Sequence, residues 1–201
     1  MALCKCNLNL RINPKTVPIP VDFQNLKGYD AYHLMSILGR YGKEVKCIPN
    51  NTEKYISFSV GGLCFIDSYG FLPKSLDYLA GCASWKELKV TTRLANGEEK
   101  LRLLSKKGIY PYEYMDSWER FSEAALPEKE KFYSSLNDEH ITDEEYKHAR
   151  KVWDAFGCKN LGDDHDKYLK TDVALLADVF ENFREITLKQ YGLDPAQEKA
   201  K

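Results

Sequence analysis

Gly61-Gly62 lies between two β-rich runs, Lys54 to Val60 and Leu63 to Ser68, and it constrains the fold more than any other local signal. Paired glycines accept the backbone angles of a tight hairpin, whose twist matches the strands that it joins. A third β-rich run, Glu44 to Ile48, comes before them across Pro49-Asn50-Asn51, so the spacing predicts an antiparallel meander. Upstream, Val17 to Gln24 reads as a strand and Gly28 as a turn. From Tyr29 the apolar positions Ala31, Leu34, Ile37 and Leu38 fall at helical spacing until Gly39 and Gly42. Earlier still, Leu8, Leu10 and Ile12 alternate with polar residues from Asn7 onward, which suits one more half-buried strand before Pro14 and Pro18.

Beyond the meander, Ser75 to Ala80 reads as a short helix after Pro73. Residues 84–143 then lose clear periodicity and are rich in charge, Tyr and Pro, which predicts a long insertion with little regular structure. Thr142-Asp143-Glu144-Glu145 is a helix-start signature with an acidic first turn, and the helix that it opens ends near Gly157. A last helix runs from about Asp164 through Asp172, Leu175, Leu176, Val179 and Phe183 to Tyr191-Gly192.

The 201 residues, 43% of them hydrophobic, suffice for one good-sized domain with its own core. A formal net charge of -1 gives no global pull toward nucleic acid, so any such contact must use a local patch. No stretch approaches the roughly 20 apolar residues of a bilayer span, and Met-Ala-Leu-Cys-Lys-Cys lacks a signal-peptide apolar block. The expectation is an intracellular protein of nucleus or cytoplasm, not secreted, with no membrane partner. Its six cysteines are mostly scattered singly in apolar surroundings, where reduced and buried thiols are expected.

An Asp just after the first strand and turn, and another on a late helix, suit a ribonuclease-H-like nuclease. Such enzymes gather four carboxylates around two divalent metals about 4 Å apart. Asn25-Leu26-Lys27-Gly28-Tyr29-Asp30 resembles the second exonuclease motif of B-family DNA polymerases, and Tyr168-Leu169-Lys170-Thr171-Asp172 resembles their third, Tyr-x-x-x-Asp. On a helix that i, i+4 spacing puts hydroxyl and carboxylate on one face. Between them, Ser75-Leu76-Asp77-Tyr78-Leu79 looks like the motif with which protein-primed members hold the single-stranded primer end. Lys107-Gly108-Ile109-Tyr110 looks like their Lys-x-x-hydrophobic motif, although Lys106 could equally match the lysine position. The surrounding residues, including Phe65-Ile66-Asp67-Ser68 and Tyr168 through Asp178, are also similar to polymerases of large self-synthesising, Polinton-like transposons and their viral and organellar relatives.

The resemblance implies an α/β, ribonuclease-H-like 3'-5' exonuclease fold, a mixed sheet flanked by helices. It implies Asp30 and Asp172 as metal ligands for Mg2+ or Mn2+, Tyr168 as the water-orienting group, Asn25, Ser75 and Leu76 as single-strand contacts, and Lys107 as the phosphate contact. The expected partners are single-stranded DNA or a primer terminus and, in a full-length parent, a polymerase domain and a terminal protein. The first motif, Asp-x-Glu, is absent upstream of Asn25; Asp22 is not followed by Glu two residues on, and neutral Asn7 and Asn9 are poor replacements on Mg2+. The fold is therefore expected to lack the first-motif strand or to replace it with Asn7 to Ile12. Residues 1–16 form an N-terminal remnant, 17–195 the exonuclease-like domain with 84–143 inserted, and 196–201 a tail. No palm carboxylate motif is present, so the chain is expected to be a polymerase fragment, and its standing as an enzyme is open.

Each residue also has a plainer reading. Asp30 suits a helix-start acid, Asp172 an exposed helix charge, Tyr168 a half-buried ring, Asn25 a turn residue and Ser75 a helix cap, while Lys106 and Lys107 suit a solvated pair. Cys4-x-Cys6 looks like the tail of a zinc knuckle but lacks four ligands, and Asp163-Asp164-His165-Asp166 reads better as an acidic helix start than as a phosphohydrolase metal site. The rival function is a catalytically dead, transposon-derived protein that binds DNA or a partner without cleaving. A third is a non-functional reading frame whose sheet aggregates.

Overall fold

Phe58 and Phe65 lie opposite each other on neighbouring antiparallel strands, their rings stacked with centroids 4.6 Å apart, and the sheet is organised around them. The computed structural model describes residues 18–28, 30–38, 40, 44–49 and 55–198. The chain divides into two compact units, one of Met1–Lys74 with Phe183–Lys201 and one of Ser75–Asn182. The expected strand at Asn7 to Ile12, the Cys4/Cys6 pair and the Gly39 and Gly42 stop lie outside the described residues.

In the first unit, β1 (Ile19–Phe23) is followed by a 3-10 turn and α1 (Asp30–Leu38). β2 (Val45–Pro49), β3 (Tyr55–Val60) and β4 (Leu63–Asp67) then form the antiparallel meander. Gly61 and Gly62 have φ of 56° and 91°, the positive values that a tight hairpin demands and that glycine adopts without a Cβ penalty. The sheet order is β1-β4-β3-β2, with β1 parallel to β4, so the four-stranded sheet is mixed and the architecture is α/β. Strand alternation puts Phe58, Val60 and Phe65 on one face, where they join Leu26 and Ala31, with Val21, Phe23, Leu34 and Met35 packed alongside. α1 thus covers that face with its apolar stripe. Near the end of the chain, Arg184 grips Asp194 through two parallel hydrogen bonds of 2.9 and 2.6 Å.

The second unit is helical. Ser75 caps α2 (Leu76–Cys82), its hydroxyl accepting from the Tyr78 N–H at 3.3 Å. Residues 84–143 hold one regular element, α3 (Glu98–Leu104), and otherwise 3-10 turns and an isolated bridge. α4 (Asp143–Phe156) opens on the anticipated capping box: Glu145 N–H donates to the Thr142 hydroxyl, and the Glu145 carboxylate accepts from the Thr142 N–H at 2.7 Å. Gly157, with φ 64°, ends it. α5 (Leu161–Tyr191) begins a turn earlier than expected because Asn160 Oδ1 accepts the Asp163 N–H at 2.9 Å and so caps the start. Leu175 of α5 packs with Ala80, Leu88, Ala95, Leu101 and Leu104 to form the core. Asp178 accepts from the Val90 N–H (2.7 Å), the Thr91 N–H (2.8 Å) and the Thr91 hydroxyl (2.8 Å), which ties that turn to the helix.

Of the four described cysteines, Cys64 is buried, Cys158 half-buried, and Cys47 and Cys82 exposed, so the expected burial fails for those two. Cys47 is exposed on β2, which among the described residues ends the sheet and has a strand partner on one side only. Among the described residues no helix is long and apolar enough to cross a membrane.

Candidate functional site

The first unit carries Asn25 and Asp30. Between them the chain turns sharply, with Asn25 in the left-handed region at φ 63°, a conformation that Asn tolerates better than most residues. The Asn25 side chain lies over Gly28 so closely that a Cβ there would come within 2.5 Å of Asn25 Nδ2, so a larger residue would have to displace the Asn25 amide. Buried Asp67, at the end of β4, holds the turn: its carboxylate accepts from the backbone N–H groups of Asn25 (2.9 Å), Lys27 (3.3 Å) and Tyr69 (3.0 Å). The Ser68 hydroxyl lies 2.8 Å from both the Phe23 carbonyl oxygen and Gln24 Oε1. Asp30 then begins α1, where its charge complements the helix dipole.

Asp22 sits on β1 beside the fully buried Ile66, and among the described residues its buried carboxylate oxygens meet no well-formed hydrogen bond. Burial pushes its carboxyl up to about 7, opposed by the Ser68 hydroxyl and reinforced by the Asp67 carboxylate.

The second unit carries Ser75, Leu76, Lys107, Tyr168 and Asp172. Tyr168 is buried on α5, one helical turn before Asp172. Its ring stacks on Tyr110 with centroids 4.8 Å apart and meets Tyr112 edge-on at 5.9 Å, and the Tyr112 and Tyr168 hydroxyls share a hydrogen bond. Gly108 presses on the same ring, since a Cβ there would fall 2.7 Å from Tyr168 Cδ2. Burial, the Tyr112 hydrogen bond and the Asp172 carboxylate hold the Tyr168 phenol far above its usual value. It therefore stays a neutral hydrogen-bond donor and cannot serve as a base.

Burial raises the Asp172 carboxyl too, against the Tyr168 hydroxyl and the Lys107 ammonium, and its Oδ1 has no hydrogen-bond partner. Lys107 is thus the lysine whose charge bears on Asp172, whereas the charge of Lys106 bears on His148. Ser75 is exposed and already caps α2, and Leu76 is half-buried against the core.

Asp163, His165 and Asp166 are engaged locally: Asp163 accepts the Lys159 N–H at 2.9 Å, His165 Nδ1 meets the Tyr110 hydroxyl at 2.6 Å, and Asp166 pairs with Lys170 at 2.6 Å. Sequence reasoning passed over Asp67 and Tyr112. The signal for Tyr112 was present in Tyr110-Pro111-Tyr112, two aromatics held by a buried proline just after the lysine motif.

The residues that the motifs single out thus fall into two groups, Asn25 and Asp30 in one unit and Ser75, Leu76, Lys107, Tyr168 and Asp172 in the other. Among the described residues, no three His, Cys, Asp or Glu side chains form a group that could hold a metal ion. Residues 15–198 match the family model described as DNA polymerase type B, organellar and viral. Comparison with curated proteins and with solved structures finds no match.

Proposed function

Because the chain belongs to the organellar and viral type B DNA polymerase family, we propose that it is the 3'-5' exonuclease region of such a polymerase and holds a single-stranded DNA end at Tyr168 and Asp172. The observation that carries this reading is the convergence on one helical turn of a neutral phenol donor, a carboxylate with an unpartnered oxygen and the Lys107 charge. Lys107 attracts a backbone phosphate. The Tyr168 hydroxyl, held between Tyr112 and Asp172, redirects its single proton to a phosphate oxygen or a water when a strand binds, and the exposed ring of Tyr112 offers a face on which a base can stack. Ser75 and Leu76 are further strand contacts of this unit, and Asn25 and Asp30 are the first unit's share of the motif set.

Divalent metal supplies water activation and charge neutralisation in two-metal nucleases. Within each unit the described carboxylates do not make up such a ligand set: Asp67 is spent on backbone N–H groups, and no three candidate ligands stand together. We therefore assign these residues the holding and orienting of a strand, and no hydrolytic step. That donor set favours the second reading, a chain that binds DNA without cleaving it.

Fluorescence anisotropy with a single-stranded oligonucleotide tests the proposal. The expected result is salt-sensitive binding, weakened in Lys107→Ala and Tyr168→Phe. Affinity equal in wild type and both variants would sink it. A parallel assay with Mg2+ or Mn2+ separates the two readings, since digestion from the 3' end that is lost in Asp172→Ala would show a working nuclease.

A further inference from the structure

A cavity of about 470 Å3 opens beside the lysine motif, lined by Lys106, Lys107, Lys147, His148 and Lys151 together with apolar Leu103 and Ile109. Its volume is within the range of about 300–1,000 Å3 usual for ligand sites. Among the described residues none of the four lysines forms an ion pair within 4.0 Å, although carboxylates are near. Glu145 is committed to the α4 capping box, and Asp77 and Glu144 are exposed. Four ammonium groups stand against three carboxylates on this lining, so the concavity carries a small net positive charge, which an anion offsets.

His148 supplies an independent sign. Its Nε2 is buried and has no hydrogen-bond partner among the described residues. The same ring lines a smaller cavity shared with Asp164, Lys167 and Tyr168, so it stands between the lysine-lined space and the Tyr168 site. Burial, followed by the Lys106 and Lys151 charges, keeps it neutral below its usual range, against a hydrogen bond to the Leu103 backbone. An anion in the cavity would offset both lysine charges and give Nε2–H an acceptor, so the ring would take up a proton as the anion binds.

We propose that Lys106, Lys147, Lys151 and His148 form an anion site for a phosphate group, separate from the phosphate that Lys107 meets beside Asp172. The shared chemistry is that of phosphate oxygens, carried either by a further nucleotide of a bound strand, in which case the site extends the strand-holding reading above, or by a free phosphate compound.

Two measurements on the full chain test this. NMR of the His148 ring during titration with inorganic pyrophosphate should show a shift of its resonances and a rise in its pKa, both lost in Lys106→Gln/Lys151→Gln. Anisotropy with oligonucleotides should show that the slope of log affinity against log salt falls by about 0.7 for each lysine neutralised, while Lys131→Gln leaves it unchanged. Circular dichroism confirms that the variants fold.

A His148 ring blind to pyrophosphate, with oligonucleotide affinity and salt slope unaltered in Lys106→Gln/Lys151→Gln, overturns the site and leaves the Tyr168 reading standing. A pyrophosphate response without any oligonucleotide binding keeps the anion site, assigns it to a free phosphate compound and removes the strand-holding reading.

Discussion

Asp67 accepts a hydrogen bond at 2.9 Å from the backbone N–H of Asn25, which is 42 residues earlier in the chain. The same carboxylate also serves Lys27 and Tyr69, so one buried side chain fixes both the turn ahead of α1 and the end of β4. Asp67→Ala leaves three N–H groups without this acceptor and is expected to cost about 2–4 kcal/mol. Asp67→Asn, which keeps one acceptor oxygen, should cost about half as much. Urea denaturation followed by far-UV circular dichroism measures both, and an Asp67→Ala midpoint equal to wild type would refute the clamp.

Gly108→Ala puts a methyl 2.7 Å from the Tyr168 ring, which is held on its other contacts by Tyr110 and Tyr112. The ring must move or the loop must give, at a cost of about 1–3 kcal/mol. Single-stranded DNA affinity should fall while the fold survives, as judged by circular dichroism and anisotropy on one preparation. Unaltered affinity would mean that the position of Tyr168 is unimportant to binding.

Tyr112→Phe removes the hydroxyl that pairs with Tyr168 and is expected to bring the Tyr168 phenol down toward its usual range. The sign follows from linkage: a folded phenol that keeps its proton while the unfolded one loses it makes stability fall as pH rises beyond about 10. Burial also holds Tyr110 up to about 12, so it adds to that alkaline loss. Ultraviolet titration of tyrosinate should show one phenol ionising earlier in the variant, and curves that differ only by the one phenol that the variant lacks would contradict the pairing.

Asp22→Asn tests the carboxyl that burial pushes up to about 7. Between the unfolded value of about 3.9 and that folded value, the native state holds the extra proton. Its stabilising contribution is therefore complete below the unfolded value and is lost as pH rises to about 7. At pH 8 the neutral Asn should be more stable than wild type by about 1–3 kcal/mol, discounted for partial screening by solvent. The gain should vanish near pH 4. Asp164, which burial raises to about 6, acts in the same direction and remains as a smaller background slope. Parallel stability curves for Asp22→Asn and wild type across this range would exclude the assignment.

Local chemistry made some parts of this molecule readable from the sequence. Gly61-Gly62 needs only its own backbone freedom to turn the meander, and the Thr142/Glu145 box closes within four residues, so both appear where the sequence put them. α3 escaped notice because seven residues span barely two turns and Gly97, at φ 111°, leads into it without a side-chain cap. The parallel pairing of β1 with β4 depends on residues about 44 positions apart and leaves no local trace. In the candidate site, the shared helix face of Tyr168 and Asp172 was legible because a helix fixes their spacing, whereas Asp67 and Tyr112 act through tertiary contacts made far along the chain. Whether Lys106 or Lys107 faces the carboxylate also depended on how the loop is oriented, which adjacent identical residues cannot reveal.

All three tryptophans, Trp85, Trp118 and Trp153, fall within the Ser75–Asn182 unit. Indole emission therefore monitors that unit alone, while every strand of the sheet belongs to the other. A melt followed by fluorescence would weight the unit that holds the indoles, and one followed at a β-sensitive dichroic wavelength would weight the sheet. The chain thus carries its own pair of spectroscopic channels, and coincident transitions in the two would establish that both units unfold as one cooperative body.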